Sequence, residues 1–439
     1  MKQKYYKLFK YLGATLYFAF LFYLSLNISF DSSITPDELM RIDVPMFIFR
    51  NGYLPIGDEE SLRTIFGFSY AYSPYLPSLF AVVFMKIVSI FTMNTNALYI
   101  ACRFISVLSG FGTWIMVCKI GEQLFDDNKY SCLLCLLVCL LPQFVFLCSY
   151  LNNDAFSVFC SSIIIYIWLK SVKTDWSILN CIILGISIGM LAITYYYAYA
   201  FILCSIIVYL FDCIRKKINS KKIILKAILV FVVAFLIGGW YFIRNGIIYD
   251  GDLLGLKIAD EMGMKYAGIK STRPSPYQLG LSFFETYFGN YYEKLNWVLT
   301  CVVSFIGVFG GMSFPMDWYG YVPFCMIAFI GFLGLVIHLF KKNNKYDKLL
   351  YLNFVLCIII PILLSMYYSY YTDWQPQGRY IISALIPLEI FITIGLKQIL
   401  SYCKKSKIFI YIFMILYVIV VLYLLKTYLI NNCFINYIV

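Results

Sequence analysis

Runs of roughly twenty apolar residues recur along this 439-residue chain, and about 20 such residues are what an α-helix needs to cross a bilayer. They lie near 11–30, 97–119, 131–150, 155–170, 177–194, 197–213, 223–242, 321–340, 349–366, 380–398 and 408–430. In lipid a backbone must satisfy its own hydrogen bonds, so runs of this length are used as helices. The expected fold is an all-α polytopic membrane protein with about eleven transmembrane helices and outer-face juxtamembrane helices, folded as one integral membrane domain over 1–439. Composition agrees: 62% of residues are hydrophobic and 13% charged, where soluble domains have about 45–50% and about 25%. Runs near 75–93 and 297–312 are weaker. The first holds Lys86 and follows Pro74 and Pro77; the second is broken by Gly307, Gly310 and Gly311. The first run has a basic leader, but no small-residue cleavage site follows Asn27-Ile28-Ser29-Phe30, so it is expected to stay as a span.

Charge sets the parity. With both weak runs kept on the outer side, the inner pieces are 1–10, 119–130, 170–176, 212–222, 341–348 and 397–407. They hold 21 of the 35 Lys and Arg against 6 acids. Short inner loops gather Lys and Arg, which places the N-terminus inside and the two long loops, 31–96 and 243–320, outside. The net charge of +12 then reflects this bias and does not point to nucleic acid. The single histidine, His338, excludes Ser/His/Asp triads and multi-histidine metal sites. Most of the fifteen cysteines, Cys132 and Cys135 among them, sit in apolar runs where a thiol packs as a small hydrophobe. Chemistry is left to carboxylates, Arg, Lys and Tyr, with a divalent cation as an open addition.

Four outer-face stretches carry such groups. The first loop opens Thr35-Pro36-Asp37-Glu38, which reads either as a helix start with Thr35 and Glu38 in a capping box or as an acidic pair able to take a proton from a hydroxyl. Asn152-Asn153-Asp154 reads as a turn and cap or as oxygen ligands for a hard cation. Trp240-Tyr241-Phe242-Ile243-Arg244-Asn245 closes a span, followed by Asp250-Gly251-Asp252, a turn or a metal ligand pair. The belt of interfacial aromatics explains Trp240 and Tyr241. A cation at an outer boundary runs against the charge bias, and a phosphate-bearing lipid would account for Arg244 through bidentate contacts. Gln377-Gly378-Arg379-Tyr380 repeats that logic at the tenth span. Arg103 and Glu389 fall inside spans, where an ionisable group is costly and signals function.

In this order, over about 31–390, these motifs resemble the GT-C membrane glycosyltransferases. They are similar to bacterial proteins related to the protein O-mannosyltransferases and lipid A aminoarabinose transferases. The resemblance implies an inverting transfer of a sugar from a polyprenyl-phosphate donor, with Asp37 as general base and Glu38 beside it. Asp154 then matches the second acidic position, and Arg244 and Arg379 are donor-phosphate contacts; Asn153, Tyr380 and Arg103 join them as candidate substrate-binding residues. Two departures stand out. The first loop offers Tyr72-Ser73-Pro74-Tyr75-Leu76-Pro77 in place of the aminoarabinose enzymes' basic residue-Pro-Pro pattern, and no outer histidine is present for a metal.

The expected activity is glycosyl transfer at the outer face of a bacterial cytoplasmic membrane, with membrane lipids around the chain and a cell-envelope glycan or lipid-linked saccharide as acceptor. The alternatives are a polysaccharide polymerase, which would join whole repeats, and a lipid-linked saccharide transporter, which would do no chemistry.

Overall fold

The computed structural model describes residues 3–267, 274–289, 296–340 and 347–435. Residues 268–273 and 290–295 of the second long loop, 341–346 of the inner piece 341–348, and Met1 and Lys2 lie outside the described residues. Among those described, nine helices are long and apolar enough to cross a membrane: Gln3–Asn27, Thr95–Leu124, Asp154–Lys173, Tyr196–Arg215, Ser220–Ile248, Trp318–Leu339, Lys348–Tyr371, Gly378–Leu400 and Ser406–Cys433. The protein is a multi-pass, all-α membrane protein.

Two expected spans are shorter than their apolar runs. The run 131–150 divides into Asn128–Cys139 and Pro142–Leu147. Leu141 is extended at φ −60°, ψ 123°, as a residue before proline prefers, and Pro142 starts the next helix without needing an N–H partner. The run 177–194 forms the 15-residue helix Ile178–Ala192. The two weak runs form Leu76–Ser89, of 14 residues, and Trp297–Gly307, of 11 residues. At 1.5 Å per residue these are about 21 and 16 Å long, short of the ~30 Å core. Trp297–Gly307 runs into a hairpin, Val308–Phe309 with Phe314–Pro315, turned through Gly310 and Gly311 at positive φ.

Contacts tie the helix ends into two rims. At one rim Lys10 meets Glu122, and Arg215 bridges Asp212 and Asp347. At the other, Arg103 meets the end of the first helix, Asp37 meets Arg379, and Ile28 bridges to Phe434. All four candidate motifs belong to this second rim, because contacts join them there: the Leu151 N–H to Glu38, Asn153 to the Pro74 carbonyl, Arg244 to the Pro55 carbonyl and Arg379 to Asp37.

Helices are held together where side chains vanish. A Cβ on Gly395 would collide with the backbone of Gly331, and one on Gly334 with the backbone of Gly395, so Trp318–Leu339 and Leu385–Leu400 touch backbone to backbone. Gly189 and Gly238 do the same for Ile178–Ala192 and Ser220–Ile248. In lipid such close approach replaces hydrophobic burial as the source of helix association. Gly395→Leu is therefore expected to cost at least the ~1–3 kcal/mol of an overpacked core, read as a fall in the thermal midpoint of the detergent-solubilised protein. The same change at Gly52, where nothing approaches a Cβ, would press on no neighbour and feel only its left-handed backbone.

Candidate active site

After the first helix ends, the chain turns through Asp31, whose Oδ1 accepts from the Ser33 N–H and hydroxyl, both at 2.7 Å. The helix Glu38–Asn51 follows with Asp37 as its N-cap residue. The capping box that the spacing of Thr35 and Glu38 allowed does not form. Asp37 sits at φ +64° and caps nothing with its side chain, and the Glu38 carboxylate is drawn elsewhere. It takes Arg103 Nε at 2.8 Å and Nη2 at 2.6 Å, and its Oε1 also accepts the Leu151 N–H at 2.8 Å. A paired guanidinium outcompetes a helix-end N–H. Arg103 spends its other nitrogen on the carbonyls of Ser25 and Ile28, at 2.8 and 2.7 Å. Both side chains are 0% exposed, so Glu38 and Arg103 face inward and knot the first helix, the first loop and the 150–154 turn.

Asp37 faces the other way. Arg379 Nη2 donates to its Oδ2 at 2.7 Å, across 342 residues of sequence. Arg41, one turn along the Asp37 helix, lies over the Tyr70 ring at 4.2 Å. Burial is the largest influence on the Asp37 carboxyl and pushes it up. The Arg379 and Arg41 charges, with hydrogen bonds from Arg379 and Tyr70, outweigh it and hold the group below the usual carboxylate range. Asp37 is thus a carboxylate at neutral pH, and its proton affinity rises when a guanidinium turns to another anion, because burial then meets less opposing charge.

Asp154 opens the helix Asp154–Lys173, is 3% exposed, and feels the charges of Arg379 and Arg41. Its Oδ1 has no hydrogen-bond partner. Its neighbours in the turn are structural: Asn152 Oδ1 accepts from the Ala155 N–H at 3.0 Å, and Asn153 Nδ2 donates to the Pro74 carbonyl at 2.8 Å. Tyr380 donates to Gln375 and packs at 5.2 Å against Tyr197.

Asp37 and Arg379 open on a cavity of about 300 Å³. Gln143, Tyr150, Ser304 and Gln377 supply polar wall; Phe146, Val308 and Met312 supply apolar wall; Ile65 and Phe66 stand at the first loop's tip. The Tyr150 hydroxyl is buried and unpartnered. Of the non-glycine residues at positive φ, Asp37 and Met312 both line this cavity, and strained backbone collects at functional sites.

Arg244 lies outside this cavity's lining. Its Nη2 donates to the Pro55 carbonyl while Tyr249 donates to that of Ile56, so it fastens the far part of the first loop to the end of Ser220–Ile248. Asp250-Gly251-Asp252 is a turn: Asp252 accepts the N–H groups of Gly255 and Ile258, both at 3.0 Å. Glu389 does not meet Arg103, which is committed to Glu38. Among the described residues no three His, Cys, Asp or Glu side chains cluster as a metal site, and guanidinium groups already neutralise Asp37. Among the described residues the donor set at this cavity does not fit a resident dication. Sequence reasoning missed Arg41, Tyr70 and Tyr150. Arg41 carried a signal, being four residues after Asp37 on the same helix face; Tyr70 and Tyr150 carried none.

A family model described as "Predicted membrane protein (DUF2142)" matches residues 56–389. The chain belongs to this family. Asp154, Arg244 and Arg379 fall within the matched stretch; Asp37 and Glu38 precede it. No curated protein matches the chain. Among solved structures it is similar to the oligosaccharyltransferase of Archaeoglobus fulgidus tethered with an acceptor peptide, at TM-score 0.58 and 14% identity over 95% of this chain and 55% of that one. The archaeal oligosaccharyltransferase AglB, in complex with an inhibitory peptide and a dolichol-phosphate, gives 0.58 and 12% over 94% and 55%. ArnT from Cupriavidus metallidurans bound to undecaprenyl phosphate gives 0.53 and 13% over 90% and 60%. At these identities the likeness is one of fold: this DUF2142 chain shares the membrane fold of those proteins and spans 55–60% of their length.

Proposed function

We propose that this DUF2142 protein is a membrane glycosyltransferase that moves one sugar from a polyprenyl-phosphate donor to an envelope glycan or lipid-linked acceptor. The observation that carries the reading is the Asp37–Arg379 pair in a cavity at the loop-rich rim of a GT-C fold. Its solved neighbours were captured with dolichol-phosphate and with undecaprenyl phosphate. In the proposed reaction the acceptor hydroxyl loses its proton to Asp37 and attacks the anomeric carbon. The carbon–oxygen bond to the donor phosphate breaks with inversion. Phosphate leaves as an anion, so it needs charge stabilisation more than a proton, and Arg379 and Arg41 supply it. As Arg379 turns to the phosphate it releases Asp37, and base strength rises as the donor arrives. Asp154, near the same arginines, is a candidate partner for a donor hydroxyl through its unpartnered Oδ1. The roughly 300 Å³ volume is at the small end of the ~300–1,000 Å³ of ligand pockets, which supports one sugar over whole repeats. The basic residues at the opposite rim support an outer-face site in a bacterial cytoplasmic membrane.

Mass analysis of envelope glycans with and without the gene tests the assignment. Loss of one defined sugar is expected; shortened polymers of intact repeats would indicate a polymerase. Arg379→Lys keeps the charge but not the planar fork. It is expected to raise the donor KM by roughly tenfold or more, the equivalent of one lost charged contact, in a radiolabelled transfer assay with inverted vesicles as the negative control for sidedness.

A further inference from the structure

The tip of the first loop carries exposed apolar side chains where a cavity mouth in water would ordinarily be polar. Ile65 is 80% and Phe66 44% exposed, and both line the cavity. From the turn at Phe66 and Gly67 onward, the rings of Phe66, Phe68 and Tyr70 meet in succession. The Phe66 and Phe68 rings lie 15° from parallel with centroids 6.3 Å apart, and Tyr70 meets Phe68 edge-on at 5.4 Å. Tyr70 then reaches Arg41 and the Asp37 carboxylate. One row of rings runs from the outside to the reacting centre.

The row is held rigid. The Thr64 N–H donates to the Phe68 carbonyl at 2.8 Å and the Gly67 N–H to that of Thr64 at 3.0 Å. Arg63 lies 3.8 Å from the centre of the Tyr266 ring. Gly67, at φ +83°, sits where any Cβ would strike the backbone of Ala267, so the tip is clasped by the end of the helix Leu256–Tyr266. A clasped tip does not expose Ile65 and Phe66 through looseness; it presents them at little ordering cost to a ligand.

Resting on the transfer reading above, we propose that Phe66, Phe68 and Tyr70 are the acceptor subsite and that the acceptor is a saccharide. A pyranose has an apolar face of C–H groups and an equator of hydroxyls. The exposed Phe66 ring, backed by Phe68, offers an apolar surface for the first. The cavity wall beside them offers Gln377 and the unpartnered, fully buried Tyr150 hydroxyl for the second. An acceptor laid on the ring row leads its terminal hydroxyl toward Asp37, while the donor sugar occupies the cavity below.

The test uses the purified full chain in detergent and, as probe, oligosaccharides released by mild acid from the envelope of a strain lacking the gene. Saturation-transfer NMR is expected to mark pyranose ring protons. Phe66→Ala with Phe68→Ala is expected to weaken binding by roughly tenfold, as loss of ring contacts predicts, with Phe66→Trp retaining it and the thermal midpoint unchanged. In the transfer assay the double alanine variant should raise the acceptor KM and leave the donor KM alone. Wild-type oligosaccharide affinity in that variant would overturn the proposal. So would marking confined to the acyl chains of a lysophosphatidylglycerol probe or to an alanine-rich peptide probe. If these results came while Asp37→Asn still abolished incorporation, the subsite would fall and the transferase would stand; if Asp37→Asn left incorporation intact, the transferase itself would fall.

Discussion

Asp37→Asn is expected to lower sugar incorporation by about 10²–10⁴-fold, the usual worth of a positioned general base, with protein level and thermal midpoint close to the parent's. The amide keeps the size of the carboxylate and suits the left-handed backbone at this position, so the loss would be one of proton affinity. The pH profile carries a second signature. Arg379 and Arg41 hold the Asp37 carboxyl low, so its acid limb should lie below the ordinary Asp value of about 3.9. Measured as kcat/KM, which reports the free protein, activity should not fall on Asp37's account between neutrality and that region. Arg379→Gln removes the strongest opposing charge and leaves burial, which acts upward, so the acid limb should move toward neutral pH. The linked stability term has the same sign. A depressed folded value stabilises above the unfolded value and is lost as pH falls through the folded one. A profile that does not move between parent and Arg379→Gln would remove Asp37 from the role of base.

The second large effect belongs to Arg103. Arg103→Met leaves the Glu38 carboxylate fully buried with only the Leu151 N–H for company, and Glu38→Leu leaves the converse cation. Breaking one side of a buried ion pair costs about 3–5 kcal/mol, enough to empty the membrane of folded protein. The double variant should lose clearly less than the sum of the two, because no unpaired charge remains. It should not return to the parent, since the carbonyls of Ser25 and Ile28 lose their donor. Surviving double variant should also be slow in transfer. The pair pins the residue next to Asp37, and a base misplaced by an ångström loses much of its advantage. Strictly additive losses in thermal midpoint would show that the two groups act separately.

The helices were legible because lipid leaves a chain so few options: spans of Val, Ile, Leu and Phe announce themselves, and Lys and Arg sort the loops. Helix breaks were less so. Pro142 sits inside an unbroken apolar run, and only the extended conformation it forces on Leu141 divides that run. At the site, the acidic pair and the Arg379 motif were visible as charges in the wrong place. Which of two adjacent acids faces the cavity was not, since Thr35 and Glu38 have capping spacing and only Arg103, sixty-five residues away in sequence, decides against the cap. Arg244 shows the limit from the other side. It has the same boundary position as Arg379, yet its partners are the carbonyl of Pro55 and the hydroxyl of Tyr249, which no local pattern encodes.

The left-handed turn at Asp37 has one more consequence. Side chains that sit comfortably at φ +64° are few, chiefly Gly, Asn and Asp. A drifting sequence can therefore sample the inert amide or bare hydrogen here easily, and the longer acid only by rebuilding the bend. If Asp37 is the base proposed here, silent copies of this scaffold, intact in shape but chemically mute, lie a single step away.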